Sequence, residues 1–258
     1  MNEVKSAARV LELLELLSMQ AEPTRFVTIV KELGYPKSSA HALLNTLVER
    51  GYVMRDKSDH YELVAAFRDG FNWVGGFETL LKRHAMPIMT AARDESGETL
   101  FLCVRDKNLD AKHVHKVVST HPIRYDSGSR ATVPAYASVM GRVLLAYSEP
   151  AEIDVYFART ELRQITPLTL TDEQAIRRTL ESIRERGYGT IEEEYALGGC
   201  GIAAPVRDRT GKVIAVLDIA TVAQRYALRK DEMLSCVLKA AAELSARLGY
   251  QPEENQGN

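Results

Sequence analysis

A tight turn between two amphipathic segments constrains the fold of this chain more than any other feature. Apolar residues recur three and four positions apart over residues 5–17 and 27–33, which predicts two helices. The tripeptide 34–36, Gly-Tyr-Pro, follows directly and indicates a sharp turn, because proline cannot continue a helix. A third helix is predicted to begin at the serine pair 38–39, with a serine side chain as its cap, and to end at Gly51.

Two short strands are predicted after the third helix. Residues 52–54 and 61–64 are rich in aromatic and aliphatic side chains, and the polar segment 55–60 separates them. This order of elements, three helices followed by a hairpin, is typical of a winged helix-turn-helix domain. We therefore assign residues 1–66 to such a domain.

The third helix and the hairpin carry polar side chains where a helix-turn-helix contacts DNA. The candidate DNA contacts are Lys37, Ser38, Ser39, His41, Asn45, Arg55 and Lys57. Between residues 26 and 60, five basic residues stand against four acidic ones, so we expect few phosphate contacts per protomer and a need for two or more copies. The alternative is a packing or protein-interaction module, since winged helices also serve in those roles.

A pair of glycines marks the predicted boundary between two domains. Residues 65–76 mix aromatic residues with glycines and end in Gly75 and Gly76. We assign residues 67–77 to a linker and 78–250 to the second domain. A length of 258 residues agrees with two domains, since single cores stop growing at roughly 250–300 residues.

The second domain is predicted to mix helices and strands, which makes the whole chain α+β. Helices are expected over residues 78–93 and 137–146, and a further helix is expected to open with a capping box of Thr171 and Gln174 and to close at Gly187. The predicted strands cover residues 99–104, 112–118, 201–206 and 213–219. An apolar stripe from Leu234 to Leu248 predicts a terminal helix.

Cysteine usage and hydropathy exclude several protein classes. Cys103, Cys200 and Cys236 lie far apart and form no CxxC pair, which disfavours a disulfide framework or a zinc ribbon. No run approaches the roughly 18 apolar residues of a membrane span, and the N-terminus lacks a secretory pattern. We therefore expect a cytoplasmic protein that contacts no membrane.

Two other kinds of site are open to a chain with these residues. Cys200 stands between glycines whose N–H groups could form an oxyanion hole, but the sequence places no base beside it, so catalysis is disfavoured. His113 and His115 are two positions apart on a predicted strand and are expected to share a face, where they could bind zinc with His121. Such pairs are more often ordinary strand residues.

Four segments of the chain resemble, in the same order, motifs of the IclR family of bacterial transcription regulators. LGYPKSSAHALLNTLVERGYV is similar to the recognition-helix segment of that family. Three further segments are similar to motifs of its effector domain, namely MGRVLLA, GYGTIEEEYALGGCGIAAPVRD and GKVIAVLDIA. Together they span nearly the whole chain.

The resemblance implies both a fold and a function. It implies a winged helix-turn-helix that binds a double-stranded DNA operator, joined to a GAF-like domain that senses a small molecule without enzymatic activity or a cofactor. It also implies a homodimer or homotetramer that controls a nearby catabolic operon. Because PAYAS precedes MGRVLLA, the chain is most similar to the branch that senses aromatic acids of the β-ketoadipate pathway. Activation and repression both stay open, as do a metal-responsive regulator and a ligand-free dimerisation module.

The resemblance also implies which residues face the effector. These are Ser138, Val139, Met140, Gly199, Gly201, Asp218 and Ala220, with Tyr125, Tyr136 and Arg130 as candidates for stacking and for pairing with a carboxylate. The glycine-rich loop 197–201 is expected to offer free backbone N–H groups to an acid. Asp218 stands where the family often has a small hydroxyl residue, and it would oppose an anion unless protonated or paired, so a hydroxyl or amine ligand is the alternative.

Two departures from the family pattern affect these expectations. The family usually has Arg where this chain has Ala42, which removes a strong donor from the predicted recognition helix. The segment 128–134 is slightly longer than its family counterpart, so we expect an altered rim of the ligand pocket.

Overall fold

The computed structural model describes residues 4–20, 22–64, 77–127 and 132–251, and the chain divides into two compact units, 1–80 and 81–258. The predicted boundary at Gly75 and Gly76 and nearly all of the predicted linker lie outside the described residues. The assignment of domain limits therefore stays a prediction.

The described part of the N-terminal unit has the three predicted helices and a three-stranded sheet, in which β1 is added to the two predicted strands. Its elements are α1 (Lys5–Met19), β1 (Thr24–Arg25), α2 (Phe26–Leu33), α3 (Lys37–Glu49), β2 (Val53–Arg55) and β3 (His60–Leu63). Strand β3 lies between β1 and β2 and is antiparallel to both. Leu13, Leu17, Ile29, Leu44 and Tyr61 are fully buried in the shared core, which fixes α3 against the other two helices.

The start of α3 differs from the prediction of a serine cap. Pro36 occupies the N-cap position, no side chain caps the helix, and the Pro36 carbonyl accepts the Ala40 N–H at 3.1 Å. Ser38 and Ser39 therefore lie in the first turn of the helix, with Ser38 exposed and Ser39 half-buried.

One antiparallel sheet with helices on its faces forms the C-terminal unit. Its helices are α4 (Phe77–Ser96), α5 (Val139–Ala146), α6 (Pro150–Arg159), α7 (Glu173–Arg186) and α8 (Ala223–Arg247). Its strands are β4 (Thr99–Arg105), β5 (Ala111–Val117), β6 (Thr132–Val133), β7 (Gly189–Glu192), β8 (Gly199–Arg207) and β9 (Val213–Val222). The spatial order is β6-β5-β4-β9-β8-β7, so β8 and β9, which carry two of the motifs singled out in the sequence, are neighbours, and β9 also pairs with β4.

Helix α5 packs on one face of this sheet. Its residues Val139, Met140 and Val143 share a buried cluster with Phe101 and Cys103 of β4. Because strand side chains alternate between faces, the neighbouring residues of β4 point to the other side of the sheet. The face under α5 is the one that carries the predicted ligand positions.

Several elements of the C-terminal unit begin differently from the prediction. Helix α7 is capped by the Asp172 side chain, which accepts the Ala175 N–H at 2.7 Å, and not by a capping box of Thr171 with Gln174. The predicted helix over 137–146 starts as a 3-10 turn at Ala135–Ala137 and becomes α-helical only after Ser138. No described helix is both long enough and apolar enough to cross a membrane.

Candidate ligand cavity and nucleic-acid interface

A small cavity of about 30 Å³ lies between α5 and the sheet. Its described lining is Tyr125, Ser138, Val139, Met140, Ile191, Tyr195, Ala196, Gly199, Cys200, Gly201, Asp218 and Ala220. All seven positions that the resemblance implies are in this lining. Residues from α5, β8 and β9 that are up to 81 positions apart in sequence (Val139 and Ala220) thus meet around one space.

A wider cleft of about 690 Å³ adjoins the small cavity. Tyr125, Tyr195, Ala196 and Gly199 line both spaces. The Tyr125 ring lies against Gly199, where an added Cβ would be only 2.5 Å from Cε2. Burial raises the pKa of Tyr125 to about 12. Tyr125 therefore stands at the junction between the cavity and the cleft.

Asp218 places a carboxyl group in the wall of the cavity. The residue is 1% exposed, and neither carboxylate oxygen has a hydrogen-bond partner among the described residues. Burial raises its pKa well above the ordinary value, and the nearby Ile202 N–H, which lies outside hydrogen-bond geometry, opposes this shift more weakly. The site thus favours the neutral, protonated carboxyl.

Two of the N–H groups that the glycine-rich loop was expected to offer to an acid are bound within the protein. The Gly199 N–H donates to the Ala196 carbonyl at 2.9 Å, and the Gly198 N–H donates to Glu193 Oε2 at 2.7 Å. Both donors are therefore already occupied. Gly198 is required by its φ of 77°, and Gly199 by the close approach of the Tyr125 ring.

The hydroxyl of Ser138 is also committed within the protein. Its Oγ accepts the Gly141 N–H at 3.2 Å, as the N-cap of α5, and donates to the Pro134 carbonyl at 2.9 Å. Next to it, Cys103 Sγ donates to Met140 Sδ at 3.4 Å. Ser138 and Met140 therefore shape the cavity wall, while Asp218 keeps its hydrogen-bonding capacity.

A buried ion pair that sequence reasoning missed fixes the loop above the cavity. Arg142 on α5 is 2% exposed, and its guanidinium donates to both carboxylate oxygens of Glu194 at 2.8 and 2.5 Å. Arg142 Nε also donates to the Tyr136 carbonyl at 2.7 Å. Because Glu194 directly precedes Tyr195, the pair ties the cleft-lining loop to α5. A single arginine inside the apolar segment MGRVLLA was the available signal.

Of the three additional effector candidates, Tyr125 lines the cavity and Tyr136 does not. Tyr136 is buried in the core, and its hydroxyl donates to the Arg163 carbonyl at 2.8 Å, so its expected role in stacking on the ligand is corrected. Arg130 lies outside the described residues, as does most of the lengthened segment 128–134.

The expectation that His113 and His115 share a strand face is wrong. A bulge in β5 pairs Cys103 with His113 but Leu102 with His115, so the two histidines follow opposite faces of β4. The His113 ring packs against the Phe101 ring, with 4.9 Å between the ring centres. The pKa of His115 is lowered by burial and, to a smaller extent, by the charge of Lys82 on α4. Within the described parts of the chain, no three side chains of the metal-binding types are grouped for a metal ion.

Cys200 lacks the electrostatic environment of a nucleophile. Burial raises the pKa of its thiol to about 11, whereas catalytic cysteines have lowered values. The thiol is therefore an inert part of the cavity wall.

The predicted DNA contacts of α3 lie along one surface of the N-terminal unit. Lys37, Ser38 and His41 are exposed, and Asn45 is half-buried one turn beyond His41. Asn45 Nδ2 lies 3.1 Å from His41 Nδ1, which orients the two side chains together. This face has the polar groups and the exposure that base-edge contacts require.

The wing, which is the hairpin of β2 and β3, presents Arg55 and Lys57 in different states. Arg55 Nε donates to Asp59 Oδ1 at 2.8 Å, while Lys57 is exposed in the loop between β2 and β3. Beside them, Arg25 Nε donates to His60 Nε2 at 3.2 Å, because β1 pairs with β3. Arg25 is a candidate contact that sequence reasoning missed, since a two-residue strand leaves no periodic pattern.

Comparisons with known proteins agree with this architecture. The family model of the IclR helix-turn-helix domain matches residues 6–57, and the model of the bacterial transcriptional regulator IclR C-terminal domain matches residues 78–246. The HTH-type transcriptional regulator BhcR of Paracoccus denitrificans is 30% identical over 260 residues, covering 98% of this chain and 90% of its own.

Two solved structures share the fold of the chain. The Thermotoga maritima IclR has a TM-score of 0.63 at 25% identity and covers 96% of this chain and 100% of its own. An IclR homolog complexed with 4-hydroxybenzoate, from Microbacterium hydrocarbonoxydans, has a TM-score of 0.62 at 23% identity, covering 94% and 98%.

Proposed function

Because this chain belongs to the IclR family of bacterial transcriptional regulators, and so is a DNA-binding regulator and not an enzyme, we propose that it controls a catabolic operon in response to a small organic acid. The observation that carries this proposal is the gathering of all seven implied effector positions around one cavity beside an open cleft. We place the protein in the cytoplasm as a homodimer or homotetramer.

The character of the site favours an aromatic acid over an aliphatic one. Phe101 packs edge-to-face with Tyr125 at 6.4 Å, and Tyr195 lines both the cavity and the cleft. Such rings prefer flat apolar partners. The Microbacterium protein, which shares the fold, binds 4-hydroxybenzoate.

Ligand entry in this proposal requires a movement of Tyr125. The cavity, at about 30 Å³, has room for about one water molecule, so an aromatic acid needs more space than the cavity now offers. Displacement of the Tyr125 ring from Gly199 joins the cavity to the cleft. The ligand then stabilises the displaced state, which is the differential binding that a regulatory response needs.

The DNA side of the proposal rests on the exposed face of α3 and on the wing. We assign base-edge contacts to Ser38, His41 and Asn45, and phosphate contacts to Lys37 and Lys57, with Ser39 and Arg55 supporting them. Effector binding then changes the placement of the DNA-binding units in the oligomer, and with it the operator spacing that they engage.

A thermal-shift screen against aromatic and aliphatic carboxylates tests the effector proposal. A ligand at 100 times its dissociation constant stabilises the folded state by about 2.7 kcal/mol, which raises the melting temperature measurably. We expect aromatic acids to give the largest shifts. If only aliphatic acids stabilise the protein, the aromatic assignment is wrong, and if no carboxylate does, the acid effector is wrong.

A blocking variant shows whether the shift comes from this cavity. Ala196→Phe places a ring where the cavity meets the cleft, and we expect it to remove the ligand-induced shift. Leu228→Phe, at an 83% exposed position outside both linings, is the matched control and keeps the shift.

A further inference from the structure

The two ends of the effector site differ in the chemistry that they offer. The inner cavity is lined mainly by apolar side chains and backbone, and its described lining contains no Lys, Arg or His. The outer cleft is lined by Arg124 and by Asp126, whose carboxylate lies 3.9 Å from Arg124 Nε, as well as by the aromatic side chains of Tyr125 and Tyr195. A ligand with two unlike polar ends is therefore bound in a defined direction.

We propose that Asp218 receives a hydroxyl group of the effector at the inner end of the cavity, so that the effector is a hydroxylated acid whose carboxylate stays in the outer cleft. This inference rests on the function proposed above. It makes Asp218 the determinant of specificity for the effector.

The position of the Asp218 side chain is the first support. Its Oδ1 lies over Gly201, where an added Cβ would be 3.0 Å away, and the carboxyl lines the cavity. The residue is 1% exposed, and both oxygens lack a hydrogen-bond partner among the described residues. A buried polar group without a partner costs free energy that a complementary ligand group recovers.

The neighbouring side chains are the second support, because their polar groups are bound elsewhere and do not form hydrogen bonds with the Asp218 carboxyl. The Ser138 hydroxyl already accepts from Gly141 and donates to Pro134. The Cys103 thiol is directed to Met140. Neither side chain thus supplies the hydrogen bonds that Asp218 lacks.

A neutral carboxyl is complementary to a hydroxyl group and not to a carboxylate. Burial favours the protonated form of Asp218, which offers one O–H donor and one carbonyl acceptor. A hydroxyl both donates and accepts, so it satisfies the two together. A ligand carboxylate at this end would bring a second acid into an apolar space without a cation in its described lining, which is costly.

The test is isothermal titration calorimetry of the full chain at neutral pH with matched ligands. The panel is benzoate, 3- and 4-methylbenzoate, 3- and 4-hydroxybenzoate, and phenol. Methyl and hydroxyl groups are similar in size, so each pair separates hydrogen bonding from the filling of space. We expect one hydroxybenzoate to bind at least about tenfold more tightly than its methyl counterpart, the factor that one good hydrogen bond to a buried group supplies.

Variants of Asp218 identify the partner of the hydroxyl. Asp218→Ala should reduce the preference to within about twofold, while Asp218→Asn, whose amide also donates and accepts, should keep most of it. Asp231→Ala, at an exposed carboxyl on α8, is the control for the loss of a carboxyl group and should leave the preference unchanged. Melting temperatures without ligand establish that all three variants are folded.

The outcomes separate this inference from the function on which it rests. Equal binding of the benzoate, methylbenzoate and hydroxybenzoate ligands overturns the role of Asp218 and leaves the acid-sensing function standing. A preference that survives in Asp218→Ala also overturns it. If phenol alone binds and needs Asp218, the hydroxyl assignment stands and the acid effector is wrong. If no member of the panel binds, both are wrong.

Discussion

Glu98 and Asp218 are both buried carboxyl groups in the C-terminal unit, and their surroundings are opposite. Glu98 is 0% exposed and accepts two hydrogen bonds from Arg225, whose third donor reaches the Ile123 carbonyl at 2.8 Å. Asp218 is 1% exposed and has no such partner among the described residues. The buried Glu98 carboxylate is paired with a guanidinium and has a structural role. The Asp218 carboxyl, which has no partner beside the cavity, is available to bind a ligand that enters it.

The N-terminal unit repeats this contrast at its surface. Arg55 in the wing is held by Asp59 and lies over the Tyr61 ring, 5.6 Å from its centre, whereas Lys57 is exposed near the tip. A cation already bound to a carboxylate must give up that partner before it neutralises a phosphate. In each unit, one charged side chain is thus engaged within the protein while a second is available for binding.

The largest effect is expected from removing the partner of Glu98. Arg225→Met keeps the side-chain volume but leaves a buried carboxylate alone, which should lower the free energy of unfolding by about 3–5 kcal/mol. Urea denaturation followed by circular dichroism measures it. The double variant Glu98→Leu with Arg225→Met removes both charges and should recover most of the loss.

Lys239→Met is the surface control for this measurement. Its ion pair with Glu95 is 71% exposed on the lysine side, so its removal should change stability by less than about 1 kcal/mol. If Arg225→Met changes the free energy of unfolding as little as this control does, the Glu98 carboxylate is not stabilised by Arg225. The contrast drawn between Glu98 and Asp218 is then wrong.

A smaller, pH-dependent effect is expected at Asp218. Because its pKa is raised in the folded state, folding binds a proton there, and stability falls as the pH rises above about 4, the value in the unfolded chain. The fall is at most about 1.4 kcal/mol per pH unit and stops at the folded-state pKa. Asp218→Asn does not titrate, so its advantage over the natural chain should grow from pH 5 to pH 7. Melting temperatures of both proteins at several pH values measure this difference, and an advantage that shrinks with rising pH would reveal an undetected cationic partner.

The N-terminal unit could be predicted well because its signals are local. Helices α1, α2 and α3 each carry an apolar stripe, and the turn at residues 34–36 separates the last two. The two-residue strand β1 was missed because its only signal is its pairing with β3. For the same reason Arg25 did not enter the list of candidate contacts.

The C-terminal unit shows where local reasoning ends. The motif resemblance placed seven residues at one cavity, which the structure brings together, but it gave no information on their partners. The contact of Glu98 with Arg225 joins residues 127 positions apart, and the bulge that separates His113 from His115 depends on the register with β4. Such facts follow from the packing of distant segments and not from any periodic pattern. Helix α6 and strand β7 were not predicted either.

The smallest effect is expected in the wing, and it tests the contrast between Arg55 and Lys57. If Lys57 contacts a phosphate, Lys57→Ala should reduce the slope of log K against log salt concentration by about 1 per contact, with nearly equal losses on operator and non-operator DNA. Arg55→Ala should reduce it less, because Asp59 already neutralises that guanidinium. Fluorescence anisotropy with a duplex from the regulated promoter and an unrelated duplex, at several salt concentrations, measures both slopes. Equal reductions would mean that Arg55 releases Asp59 on binding, and that an internal partner does not keep a surface cation from DNA.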